Sequence, residues 1–420
     1  MLVFALSVLS IVLSMPEPLS VSPKIENKIE IGRGSQGVVY KVQIDDKPFA
    51  MKSTVSTSTG MPKSVRSDIS ILNSLVHPNV VKFIGYWEDD DIRALENHKL
   101  VKFHCYNYLL ELMDGDLFDF IEINTESNKR RQYAQKEHEM RNFYTQIRSA
   151  LVHIHSRGIY HLGIKIENIL IKSDYNNEYI YKLGGFGLAT TNPTTSLVGA
   201  SESVPPEMHF ARLERLLLNT LLKLIANINV SQPRAVVKTL LRELRLKMQA
   251  LAPKKPLSLI SILSKKFKEL TSTRKSRKEN RYSGELSTLL TYIQTKYDEV
   301  DENRFLQEMA KLESSTKHIS ERLKINQSTR WDAESIDVFE FGKTLLDLSY
   351  FYDSVPDRPK NGICFDDNQQ LDRNNQKLET SFIKHPTFAS NFKFQSLIRK
   401  MMHCDFRVRP GSADLMQMDF

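Results

Sequence analysis

The pattern of apolar and polar positions changes character about a quarter of the way along the chain. From Glu30 to Lys41 the run EIGRGSQGVVYK reads as a strand, a glycine-rich turn and a second strand, continued by Val42, Gln43 and Ile44. Asp45-Asp46 supplies a polar turn, and Phe49-Ala50-Met51-Lys52 predicts a third strand. Apolar residues three or four apart at Val65, Ile69, Leu72 and Leu75 predict a helix, stopped by His77-Pro78-Asn79. Strands return over Val80–Tyr86 and Tyr106–Leu112. This part of the chain is therefore expected to be mainly β with one helix.

Beyond Asp116 helical spacing dominates. Phe143, Tyr144, Ile147, Leu151 and Ile154 lie on one face of a helix predicted over Met140–Ser156. Short strands are expected at Ile159–His161, Asn168–Ile171 and Tyr181–Leu183, and buried helices at Ser335–Tyr350 and Phe392–His403. Residues 208–330 differ in composition. They hold 25 Lys+Arg against 12 Asp+Glu, a net of +13, while the remaining sequence holds 33 against 38, a net of −5. Gly284 is the one glycine there, and helical spacing recurs at Arg212–Ile228, Ala235–Leu251, Leu286–Tyr297 and Arg304–Leu323 around the linker TSTRKSRKENR. The segment reads as a basic helical insertion.

With 420 residues, 41% of them hydrophobic and 26% charged, the composition is that of a soluble globular protein. Cys105, Cys364 and Cys404 show no paired spacing. The reading therefore expects neither a disulfide framework, nor a zinc cluster, nor a disulfide-linked partner, and favours a reducing compartment, cytoplasmic or nuclear. Met1–Leu13 is almost wholly apolar but short of the roughly 20 residues that span a bilayer. Residues 1–23 stay open between a secretory signal or membrane anchor, a buried extension, and a start at Met15.

Candidate chemistry begins with Ile31-Gly32-Arg33-Gly34-Ser35-Gln36-Gly37-Val38-Val39, which fits G-x-G-x-x-G-x-V. Glycines at that spacing let backbone N–H groups approach phosphate oxygens. Alone, the pattern is also that of a tight hairpin. Ala50-Met51-Lys52 follows at the spacing of a phosphate-gripping lysine on the third strand, and the two together point to a nucleotide site.

From these residues onward the chain resembles the eukaryotic protein kinase family, serine/threonine type. YHLGIKIENIL (Tyr160–Leu170) is similar to the catalytic loop H-R-D-x-K-P-E-N-x-L, and YKLGGFGLAT (Tyr181–Thr190) to the K-x-x-D-F-G segment. SVPPEM (Ser203–Met208) resembles the A-P-E motif, SIDVFEFGKTLLDL (Ser335–Leu348) the D-V-W-S-x-G helix, and HCDFRVRPGSADLM (His403–Met416) the closing arginine motif. The resemblance covers residues 24–207 and 331–420 and implies an α+β, bilobal fold. The β-rich small lobe is expected over about 24–113 and the helical large lobe over about 114–420, interrupted by the insertion at 208–330.

The resemblance implies that Ile31, Gly32, Gly34, Gly37, Val39, Ala50, Lys52 and Leu170 form an ATP site, with Asp68 as the helix partner of Lys52. Leu72, Phe83, His161 and Phe186 would form the column linking the lobes, His161 as a packed side chain. Asp337 would anchor the catalytic loop, and Glu207 and Arg409 would form a buried pair. The departures fall on the chemistry. Gly163 stands at the proton-accepting aspartate and Gly185 at the Mg²⁺-binding aspartate, leaving Lys165 as a phosphate contact and Asn168 as a remnant metal ligand. Leu162 replaces the catalytic-loop arginine. Losing a general base removes about 10²–10⁴-fold in rate. Asp68 is one methylene short of the family's glutamate, and a misplacement of about 1 Å costs on the order of 10²-fold.

The expectation is a kinase fold without intact catalytic carboxylates, a pseudokinase that still binds ATP with weak or no Mg²⁺ and acts on other proteins as scaffold or regulator. Two alternatives stand beside it: a divergent ATP-dependent serine/threonine kinase, and an adaptor whose basic insertion binds protein partners, nucleic acid or an anionic membrane.

Overall fold

A computed structural model describes residues 14–34, 37–57, 60–94, 100–123, 133–174, 178–195, 205, 208, 331–352, 364–365 and 391–420. Residues 1–205 with 332–420 form one compact unit, and 206–331 form a second. The helices expected within 208–330, the apolar run 1–13 and Glu207 lie outside the described residues.

The first unit opens with a five-stranded antiparallel sheet: β1 (Glu26–Gly34), β2 (Gly37–Ile44), β3 (Lys47–Ser56), β4 (Phe83–Ala94) and β5 (Leu100–Glu111). Its spatial order is β1-β2-β3-β5-β4. The β2–β3 turn falls on Asp45 and Asp46 at φ 49 and 59, the paired left-handed conformation that a two-residue hairpin requires and that Asp tolerates. Gly37 opens β2 at φ 138, where an added Cβ would lie 2.4 Å from the Ser53 carbonyl oxygen, so only glycine fits. Helix α1 (Lys63–Ser74) buries Val65, Asp68, Ile69, Ile71 and Leu72.

The rest of this unit is mainly helical. A small sheet, β6 (Gly115–Asp116), β7 (Ile169–Ser173) and β8 (Tyr179–Leu183), carries the loops of interest beside α2 (Leu117–Ile123) and α3 (Tyr133–Ser156). Beyond the second unit come α4 (Ala333–Tyr352), α5 (Phe392–Met401) and α6 (Ser412–Leu415). Asn391 caps α5, its side chain accepting from the Phe394 N–H at 3.0 Å. The α+β, two-lobed layout expected from the sequence is present.

The main core runs through both lobes, from Val65, Ile69 and Leu72 through Phe143, Ile147 and Phe186 to Phe341, Leu397 and Leu415. Tyr144 stacks on Phe341 with ring centres 5.6 Å apart and donates its hydroxyl to the Met418 carbonyl at 2.8 Å, tying the last residues to α3.

Several expectations change. The strand expected from Val80 starts at Phe83, because Val80 and Val81 turn inward to bond Leu183, Val80 by a bridge and Val81 through its N–H at 3.0 Å. Ile159–His161 forms no strand beyond the single bridge Tyr160–Thr190. Helix α3 begins at Tyr133 rather than Met140. The cysteines are corrected most. Cys364 and Cys404 are disulfide-bonded across 40 residues of sequence. The cause is a parallel bridge between Phe365 and His403, in which Phe365 donates to the Met402 carbonyl at 3.1 Å and Cys404 to that of Phe365 at 2.9 Å. No spacing rule in the sequence signals that contact.

Candidate functional site

The expected nucleotide residues come from three adjacent strands. Val39 on β2 pairs with Gly32 on β1 and with Lys52 on β3, and Ala50 on β3 pairs with Leu110 on β5. Gly32 and Gly34 have room for a Cβ, and Ile31 is half-exposed. Leu170 on β7 rises from the opposite lobe against Gly184, where a Cβ would meet its Cδ1 at 3.0 Å. The backbone around Gly37 and the ammonium of Lys52 fit a phosphate-bearing ligand, since the first permits close approach and the second supplies a positively charged donor.

Lys52 Nζ meets Asp68 Oδ2 at 2.8 Å, with both side chains largely buried. The shortfall expected from the missing methylene is therefore corrected: the ion pair closes. It does so with help from Tyr108, whose hydroxyl donates to the same carboxylate oxygen. Sequence reasoning missed Tyr108, because only the strand register places it opposite Lys52.

The catalytic-loop segment hangs from Asp337 on α4. Its Oδ2 accepts from the His161 N–H at 2.7 Å and its Oδ1 from the Leu162 N–H at 2.6 Å, and His155 Nε2 lies 2.8 Å from Oδ2. These bonds hold Leu162 at φ 57, a conformation unfavourable for a branched side chain, with that side chain buried. Asp337 thus sits where an anchor of the loop was expected.

His161 is fully buried. Its Nε2 bonds the Gly184 carbonyl at 2.8 Å, and its ring meets Phe186 edge-on at 4.7 Å. Burial pushes its pKa down, against the raising influence of Asp337, so the ring is neutral and donates from Nε2. Leu72 and Phe186 belong to one core cluster and Phe83 packs against it. Glu340, also missed from sequence, lies beneath the loop with Oε2 accepting from the Ile164 N–H at 2.8 Å. Burial, and then the charge of Asp337, pushes this carboxyl well above the carboxylate range.

The two glycine positions differ sterically. A Cβ on Gly163 would find its nearest neighbour, Asn168 Nδ2, at 3.6 Å, an ordinary contact. Gly185 lies at φ 74, and a Cβ there would be 2.3 Å from Asn168 Oδ1. Asn168 donates its amide to the Gly163 carbonyl at 2.7 Å, so its side chain fills the space between the two glycines. The residues present do not fit Mg²⁺, which favours six oxygen ligands at close range. Among the described residues no grouping of three or more His, Cys, Asp or Glu could hold a metal ion.

Lys165 is part-exposed, 3.7 Å from Glu167. Arg409 is buried, donating from Nε to the His403 carbonyl at 2.8 Å, with its guanidinium 4.7 Å from the Phe339 ring centre. Its expected partner Glu207 lies outside the described residues.

Comparison with known proteins agrees with this geometry. The family description "Protein kinase domain" matches residues 25–212. The chain is 31% identical over 174 residues to the negative regulator of sexual conjugation and meiosis of Schizosaccharomyces pombe, covering 40% of this chain and 33% of that protein. It is 29% identical over 167 residues to serine/threonine-protein kinase PLK4 of Xenopus tropicalis, covering 38% and 15%. It is 27% identical over 207 residues to the interferon-induced, double-stranded RNA-activated protein kinase of Rattus norvegicus, covering 46% and 38%. The chain thus spans well under half the length of these relatives.

Proposed function

We propose, starting from a chain that belongs to the eukaryotic protein kinase family through residues 25–212, that this protein is a nucleotide-binding pseudokinase that works by contact rather than by phosphoryl transfer. Phosphoryl transfer needs a carboxylate to orient and deprotonate the attacking hydroxyl and another to hold the metal that neutralises the phosphates. The observation that carries the reading is the pairing of a closed Lys52–Asp68 bridge with glycine at both carboxylate positions. The lobes' common core is maintained, so nucleotide occupancy can be passed to surfaces that bind protein partners. ATP, held through Lys52, the backbone of β1 and β2, and the apolar side chains Val39, Ala50 and Leu170, would act as a ligand. The basic segment 208–330 is the proposed contact surface for those partners.

Thermal melting of the full chain with ATP, in EDTA and then in excess Mg²⁺, tests this. ATP is expected to raise the melting temperature equally in both buffers, with no phosphate transferred to itself or to a generic substrate. Transfer at ordinary kinase rates, about 1–100 s⁻¹, would overturn the proposal, as would stabilisation by ATP only when Mg²⁺ is present.

A further inference from the structure

Tyr108 stands directly opposite Lys52 in the β3–β5 register, with 1% of its surface exposed. Its hydroxyl and Lys52 Nζ converge on one oxygen, Asp68 Oδ2, the lysine at 2.8 Å. Lys52 Nζ also lies 5.4 Å from the centre of the Tyr108 ring, within cation–π reach. The three side chains line a cleft of about 220 Å³ together with Gly37, Thr54, Ser64 and Val65. Asp68 Oδ1 is buried with no hydrogen-bond partner among the described residues, so the carboxylate is held through its other oxygen. Burial, and then the charge of Asp68, raises the Tyr108 phenol well above its ordinary range, which keeps it a donor.

An aspartate on a helix reaches less far toward a sheet than a glutamate does. A second donor, fixed on the sheet itself, draws the short carboxylate inward and sets where the lysine finds it. We infer that Tyr108 is a positioning residue: its hydroxyl holds Asp68 so that Lys52 is presented to the phosphates of a bound nucleotide. This deepens the nucleotide-binding reading and rests on it.

Calorimetric titration of the full chain with metal-free ATP and with adenosine, which has no phosphate for Lys52 to meet, tests the inference. Tyr108→Phe is expected to weaken ATP about tenfold, the scale of one hydrogen bond to a charged group, and to change adenosine less than about twofold. Asp68→Glu added to Tyr108→Phe is expected to restore ATP binding to within about threefold, because the longer acid reaches the lysine unaided. Equal losses for both ligands, an unchanged ATP affinity, or no rescue by Asp68→Glu would each overturn it. Binding of neither ligand by the wild type sinks the nucleotide reading instead. The role of Tyr108 is then decided by labelling of Lys52 with an amine-reactive probe, expected to be about tenfold faster in Tyr108→Phe; an equal rate overturns the inference. If Tyr108→Phe alone fails to fold, Asp68→Glu supplies the background, in which adding Tyr108→Phe should cost ATP less than about threefold and a larger loss overturns it.

Discussion

At the scale of single residues, Gly163 and Gly185 are the same substitution with different consequences. The Cβ of an aspartate in place of Gly163 would make ordinary contacts with Asn168 and His161, the nearest at 3.6 Å, whereas one in place of Gly185 must displace Asn168. Gly163→Asp, buried but free of a clash, is therefore expected to cost less stability than Gly185→Asp. Gly185→Asp is expected to cost about 1–3 kcal/mol through the clash and the left-handed backbone. Asn168→Ala in the Gly185→Asp background should recover part of that loss, by denaturant melting; a fully additive cycle would show that Asn168 is not the obstacle. The identity of both glycines was legible in the sequence from motif spacing alone. What Asn168 does between them was not, because it depends on two loops meeting.

At the scale of elements, α3 is joined to the turn after α1 by two histidines. The rings of His77 and His153 lie 4.6 Å apart. Burial, followed by Arg157 and then His77, lowers the pKa of His153 to about 4. Burial, followed by Arg157 and Lys182, also lowers that of His77. Both shifts favour the neutral ring in the folded protein. An unfolded histidine takes up its proton near 6.5, so between there and about 4 the unfolded chain binds protons that the folded His153 refuses. The contribution is fully present above 6.5 and is lost as pH falls toward 4. His153→Phe keeps a ring at the contact and should flatten the fall in melting temperature over this window; an unchanged pH profile would assign the fall to other groups. The helical period of α3 was plain from Phe143, Tyr144, Ile147, Leu151 and Ile154, since one stripe faces the core. Its first two turns were not, because Tyr133–Glu139 is mostly polar and carries no stripe. Tyr108 escaped for a related reason: β5 is buried on both faces from Tyr106 to Leu109, so its pattern says nothing about which neighbour Tyr108 meets.

At the scale of the whole molecule, the two-lobed α+β layout followed from the order of motifs, whose spacing is fixed by backbone geometry. The second unit, 206–331, coincides with the shift to net positive charge in the sequence. No helix among the described residues is long and apolar enough to cross a membrane. The Cys364–Cys404 bond was illegible because its partners are brought together by a contact between distant segments. Its consequence lies in the unfolded chain. Closing a loop of 40 residues removes conformational freedom worth about 4 kcal/mol in the chain-entropy account. A typical domain is stable by about 5–15 kcal/mol, so that is a large share. Reducing agent then becomes a thermodynamic variable: reduction of the full chain is expected to lower its melting temperature by roughly 10 °C. The same fall should appear in Cys404→Ser without reductant. Equal melting with and without reductant would mean that the folded contact stands without its cross-link, and that the unfolded chain is already compact there.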